Sequence, residues 1–95
     1  MCYNCDCGDP KDTMGNDNNI TDQITFAGLA TKWGVTFDQV RQIVYNDLIG
    51  QPPTDPTQVT DIANMYTLAA AAWGQTVEEG RTYTLKLLKR EMNIQ

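Results

Sequence analysis

Ninety-five residues suit one small domain, and a net charge of −5 makes the chain a poor nonspecific binder of nucleic acid or anionic membrane. The absence of histidine excludes imidazole acid–base chemistry, Ser-His-Asp triads and histidine-ligated zinc. Hydrophobic content of 41% and charged content of 20% are ordinary for a globular chain, and no apolar run reaches the roughly 18 residues that a membrane span requires.

Residues 1–20 carry four aspartates against one lysine, so most of the acidity lies there. This segment reads as an irregular, cysteine-rich head. Gly8, Pro10, Gly15 and the Asn16-Asp17-Asn18-Asn19 run are turn formers, with neither a strand nor a helix period. A loop of this length needs an organiser. The N-terminus has no basic stretch followed by an apolar one, so no secretory signal is expected.

A first helical hairpin is expected over 21–50. Its first helix runs from Thr21 to Trp33, with Ile24, Leu29, Ala30 and Trp33 on one face, and stops at Gly34. Thr36 opens the second helix, and Gln39 completes a capping box. Its apolar stripe is Val40, Ile43, Val44 and Leu48. Residues 51–56, Gln-Pro-Pro-Thr-Asp-Pro, form a linker because proline cannot continue a helix. A second hairpin is expected over 57–95. Val59, Ile62, Ala63, Tyr66 and Ala70 line its first helix, which ends at Gly74. Thr76 and Glu79 cap the next, which carries Leu85, Leu87, Leu88 and Met92. The expected fold is all-α: four helices in two related helix-hairpin, helix-turn-helix-like units behind the irregular head, in one compact domain.

The two hairpins read as copies. At an offset of 40 residues, Ala30, Trp33, Gly34, Thr36, Arg41 and Leu48 recur as Ala70, Trp73, Gly74, Thr76, Arg81 and Leu88. Asp38 and Glu78 also correspond. Each acid stands three residues before its arginine, so the pairs Asp38–Arg41 and Glu78–Arg81 are expected to meet on one helix face. The tryptophans are expected to anchor the core before each turn, with partner contact as the alternative.

Cys2, Cys5 and Cys7 form Cys-x-x-Cys-x-Cys, which puts three sulfurs within reach of one ion. Soft thiolates select zinc, or an iron–sulfur cluster as the alternative. The set is one ligand short of four. Asp6, Asp9 or Asp12, a free α-amine or a partner chain could complete it, and an iron–sulfur cluster could leave one iron open. A disulfide would strand the third thiol, and a redox Cys-x-x-Cys normally opens a helix in a βαβ unit, which this chain lacks.

The opening Met1-Cys2-Tyr3-x-Cys5-x-Cys7-Gly8, with Met14-Gly15 and Asn19-Ile20-Thr21 downstream, resembles a set of small microbial proteins of unknown activity that begin in this way. They are similar again near the end, at Glu78-Glu79, Thr84 and Leu87-Leu88. Residues 25–60 depart from that pattern. The resemblance implies that cysteine head and helical tail belong together, and nothing about activity.

Residues 26–45 fit a helix-turn-helix template, with Leu29, Ala30, Trp33, Gly34, Val35, Val40 and Ile43 at its packing positions. Arg41, Gln42 and Tyr45 would then face outward, and Arg41 and Gln42 could read base edges. Charge opposes direct DNA binding, since residues 21–50 hold only Lys32 and Arg41 as bases. In the second hairpin Gln75 replaces Val35 and Gly80 replaces Val40, a poorer fit. No nucleophile–base pair and no phosphate-binding glycine loop are visible, so catalysis is not expected. The expected function is a non-catalytic, zinc-binding protein-interaction or assembly module. It would work by self-association or on a protein partner through Trp33, Arg41, Gln42, Tyr45 and Trp73, away from membranes. The expected setting is a reducing cytoplasm or a phage particle, as a structural virion component. A helix-turn-helix DNA-binding protein and a small iron–sulfur or redox protein are the alternatives.

Overall fold

A computed structural model describes residues 3–4 and 9–94. A π-helical turn, Asp22–Phe26, leads into α1 (Ala27–Trp33), followed by α2 (Phe37–Leu48), α3 (Pro56–Trp73) and α4 (Val77–Glu91). The fold is all-α: four α-helices and no strand among the described residues.

Residues 9–21 form a chain of turns stabilised by their own side chains. The carboxylates of Asp9 and Asp12 accept the backbone N–H groups of Lys11 and Met14, and the Asn16 amide oxygen accepts that of Asn18, at 2.9–3.0 Å. Each is a local side-chain-to-backbone bond that competes with helix formation, which is why acidic and amide residues accumulate here.

The first helix departs from expectation in its opening turn. The Phe26 N–H donates to the Thr21 carbonyl at 3.0 Å, a five-residue step. That wider turn rotates the register relative to a 3.6-residue helix. Ile24, expected on the apolar face, is therefore 45% exposed, while Phe26 is fully buried. In α3 the expected stripe holds at Ile62, Tyr66 and Ala70 and fails at Val59 and Ala63. Ile62, Met65, Tyr66, Ala69 and Ala70 point inward, and Val59 (44% exposed) and Ala63 point outward.

Both helix stops and both restarts use the same local chemistry. Gly34 lies at φ 69°, ψ 36° and Gly74 at φ 67°, ψ 39°, the left-handed region where a Cβ is strained. Thr36 and Thr76 are extended at φ −78°, with ψ 160° and 158°. Each closes a capping box with Gln39 or Glu79. A cap of this kind is worth about 1 kcal/mol. Asp55 caps α3 and Pro56 occupies its first turn, where the missing N–H costs nothing.

α1 packs on α2, α3 on α4, and α2 on α4. Arg41, early in α2, lies 3.8 Å from Glu91 at the end of α4. Arg81, early in α4, lies 3.4 Å from Asp47 late in α2. The two helices therefore run in opposite senses. Between the layers sit Phe26, Val40, Val44, Ile62, Met65, Tyr66, Leu87 and Leu88, joined by Tyr3 and Ile20 from the N-terminal segment.

Candidate functional site

Tyr3 and Asn4, the two spacer residues of Cys-x-x-Cys, are completely buried. The Tyr3 N–H donates to the Ile20 carbonyl at 2.7 Å, and its ring packs 4.8 Å from that of Phe26. The Tyr3 hydroxyl donates to Asp22 Oδ1 at 2.6 Å. Arg41 Nη2 donates to the same hydroxyl at 3.1 Å and to Asp22 Oδ2 at 3.3 Å. Burial, followed by the hydrogen bond to the Asp22 carboxylate, pushes the Tyr3 phenol far above its ordinary range. Burial also raises Asp22, against the opposing pull of the Tyr3 hydroxyl and Arg41. Tyr3 therefore stays protonated and serves as a fixed donor, joining the N-terminal segment to the π-turn and α2.

Asn4 reaches the other half of the molecule. Its amide nitrogen donates to Asn19 Oδ1 (3.1 Å), the Ala69 carbonyl (3.3 Å) and Gln75 Oε1 (3.1 Å), and its oxygen accepts the Ile20 N–H at 2.8 Å. Asn19 in turn donates to the Thr13 carbonyl at 2.8 Å. A Cβ on Gly80 would come within 3.0 Å of Gln75 Oε1 and 3.7 Å of the Asn4 Cβ. Gln75 and Gly80 are the two places where the second hairpin departs from the helix-turn-helix template. Both departures form the slot that receives Asn4. Sequence reasoning treated Tyr3 and Asn4 as spacers and missed Asn19 and Asp22. The one signal was an amide run and a glycine at a packing position.

Cys2, Cys5, Asp6 and Cys7 lie outside the described residues. Asp9 is exposed, with one carboxylate oxygen held by the Lys11 N–H at 2.9 Å. Among the described residues no three acidic or cysteine side chains converge on one point.

The five residues expected to meet a partner differ in their surroundings. Arg41 is turned inward, its side chain 15% exposed and its guanidinium 4.7 Å from the Phe37 ring centre. It pairs with Asp22 and Glu91, where a pairing with Asp38 was expected, because it sits on the buried side of α2 one turn after Phe37. Arg81 similarly pairs with Asp47 and stacks over Tyr66 at 5.2 Å, where Glu78 was expected. Gln42 is exposed and donates to Asn46 Oδ1 at 2.8 Å along its own helix, and Tyr45 is half-buried against the core. Trp33 is half-buried. Its Nε1 donates to Asp61 Oδ2 at 2.9 Å while Lys32 Nζ donates to Oδ1 at 2.8 Å. Lys32, then Trp33, hold Asp61 below its ordinary range. Trp73 is 38% exposed at the end of α3, so it is not a core anchor.

Beside the Lys32–Asp61 pair runs an open groove of about 300 Å³ between the π-turn and α1 on one side and α3 on the other. Ile24, Gly28, Leu29, Met65 and Leu68 supply its apolar lining; Asp17, Lys32, Asp61 and Asn64 are among its polar ones. Among the described residues no helix is long and apolar enough to cross a membrane. Compared with models of known protein families, with curated proteins and with solved structures, the chain matches none.

Proposed function

We propose that this chain is a non-catalytic protein-interaction or assembly module whose cysteine head binds zinc and whose helical body docks on a protein surface. The observation that carries the reading is the burial of Tyr3 and Asn4. A knuckle needs the residues between its first two thiolates held in a fixed turn, and two fully buried side chains fix this pair. Cys2, Cys5 and Cys7 would hold the ion, with Asp6 or Asp9 as fourth ligand. Asp9 is exposed and engages one carboxylate oxygen with the Lys11 N–H, which is compatible with that role. The donor set, three soft thiolates, fits zinc. Zinc would cross-link the head and add binding free energy to the stability of a small core.

Two related hairpins are part of the same reading. The matched dihedrals of Gly34 and Gly74, the twin capping boxes and the reciprocal Arg41–Glu91 and Arg81–Asp47 pairs support one hairpin geometry used twice. The inward turn of Arg41 removes a base-reading side chain from the alternative DNA-binding surface. A small module of this kind suits a component of a larger assembly, of microbial or phage origin.

Elemental analysis of anaerobically purified protein tests the metal. About one zinc per chain is expected, falling sharply in Cys2→Ser, Cys5→Ser and Cys7→Ser while the helical circular dichroism persists. A colourless preparation without metal, in which all three thiols react freely with a thiol reagent, would refute the zinc head. A brown one with visible absorbance would replace zinc by an iron–sulfur cluster.

A further inference from the structure

Two consecutive residues of the head bond into different halves of the molecule. Tyr3 engages the first hairpin: its hydroxyl donates to Asp22 Oδ1 at 2.6 Å and accepts from Arg41 Nη2 at 3.1 Å. Asn4 engages the second: its amide nitrogen donates to the Ala69 carbonyl at 3.3 Å and to Gln75 Oε1 at 3.1 Å. Both side chains are completely buried. In the sequence this dipeptide is the spacer of Cys2-Tyr3-Asn4-Cys5. An ion held by Cys2 and Cys5 ties both ends of the dipeptide, and docking of the dipeptide in the body restrains the stretch between the two ligands. Each event removes conformational freedom that the other would otherwise have to remove. Metal binding and docking therefore favour one another, and linkage makes the effect equal in both directions.

The second hairpin controls Asn4 through two side-chain positions. Gln75 supplies an acceptor, and the missing side chain of Gly80 supplies room. A Cβ on Gly80 would lie 3.0 Å from Gln75 Oε1 and 3.7 Å from the Asn4 Cβ. That single atom displaces only the end of a flexible side chain. A valine, the residue at the equivalent Val40 of the first hairpin, adds two further methyl groups where Asn4 and Gln75 now meet. The other contact of Asn4 on this hairpin is a backbone carbonyl, at Ala69.

We infer that Gln75 and Gly80 are positioning residues for the metal head: by seating Asn4 they raise its affinity for zinc, and occupancy of the head is transmitted in turn to the second hairpin. The inference rests on the zinc reading of the head given above. It extends that reading to residues more than 70 positions from Asn4 in sequence.

Competition for zinc between the whole chain and a chromophoric chelator, under reducing conditions, tests it. Gly80→Val should weaken zinc binding about 10–100-fold, the range over which groups behind the ligands act. Gln75→Ala should weaken it by about fivefold, at the low end of such couplings, because the Asn4 amide keeps Asn19 and Ala69 as acceptors. Gln75→Glu keeps an acceptor oxygen at that place and should restore the affinity. Thr36→Ala weakens a cap of the first hairpin without touching Asn4, and should leave the affinity unchanged. In the reverse direction, zinc should raise the thermal midpoint of wild type more than that of Gln75→Ala. Helical circular dichroism separates loss of zinc from loss of fold, and if Gly80→Val does not fold, the two Gln75 variants decide. Wild-type affinity in the folded Gly80 and Gln75 variants overturns the inference and leaves the zinc head standing. A loss in Thr36→Ala equal to that in Gln75→Ala also overturns it, since affinity would then follow overall stability. Wild-type protein that takes up no zinc removes the head and this inference together.

Discussion

Replacing Asn4 by alanine removes one buried side chain that serves four partners at once. The amide nitrogen leaves Asn19 Oδ1, the Ala69 carbonyl and Gln75 Oε1, and the amide oxygen leaves the Ile20 N–H. The side chains of Asn19 and Gln75 can rotate toward one another or toward water. The Gly74 and Gln75 N–H groups donate to the Ala70 carbonyl, not to that of Ala69, and the Ile20 N–H has a fixed direction. An orphaned buried donor or acceptor costs about 1–3 kcal/mol. With one donor fully orphaned and the others partly re-paired, Asn4→Ala should destabilise the chain by about 2–4 kcal/mol. For a domain of this length each kcal/mol is worth about 4–8 °C, so the midpoint should fall by roughly 10–30 °C. Thermal unfolding followed at the helical circular dichroism band measures it, with Asn4→Asp as companion. Aspartate keeps the acceptor for Ile20 but faces the Ala69 carbonyl and Gln75 Oε1 with a carboxylate, and should be at least as damaging. A loss below about 0.5 kcal/mol in Asn4→Ala would place it among ordinary surface substitutions and refute the anchor.

Three further outcomes follow from the geometry. Burial raises Asp22 above its ordinary 3.8, so the folded chain takes up this proton before the unfolded chain does. Asp22 therefore adds stability as pH falls through its raised value and loses it again as pH rises. Melting curves between pH 7 and 4 should show wild type gaining on Asp22→Asn with acidification, and a shrinking difference would reverse the sign. Thr36→Ala and Thr76→Ala should each cost about 1 kcal/mol, nearly equally, because their capping boxes are alike; denaturant titration that finds only one of them costly would break the equivalence. Asp61→Ala frees the indole of Trp33, and in a Trp73→Phe background the remaining tryptophan emission should shift, with a stability loss of about 1 kcal/mol; unchanged emission would mean the indole bond is absent in solution.

Helix stops and starts were legible because they are local. Gly34, Thr36, Gly74 and Thr76 act through the backbone within a few residues of themselves. The outward place of Ile24 was not legible, since a π-turn at 22–26 changes the local phase without altering composition, and in α3 the tertiary contacts of Met65 and Ala69 decided the inner face at the expense of Val59 and Ala63. Arg41 illustrates a different limit. A nearby acid at the favoured spacing, Asp38, suggested its partner, but burial against Phe37 and Tyr3 decided for Asp22 and Glu91, which are 19 and 50 positions away. The anchor was hidden for the same reason. Tyr3 and Asn4 stand among cysteines that drew the chemical interpretation, and their partners lie up to 71 residues further along. Gly80 was visible as a misfit to the repeat, and only the position of Asn4 gives it a cause.

The reach of Asn4 also orders events in time. Its bond to Gln75 closes a loop of 71 residues, while α1 and α2 are joined by a three-residue turn. Short closures cost least entropy and form first; long ones wait until the elements they join already stand. On a growing chain the first hairpin is synthesised complete before Ala69 and Gln75, so Asn4, made ahead of both hairpins, is among the last residues to dock. Substitutions at Asn4 should then leave the refolding rate nearly unchanged and appear almost entirely as faster unfolding. The N-terminal staple is in this sense a lock applied to a body already assembled, and it sets how long the folded chain lasts more than how quickly it forms.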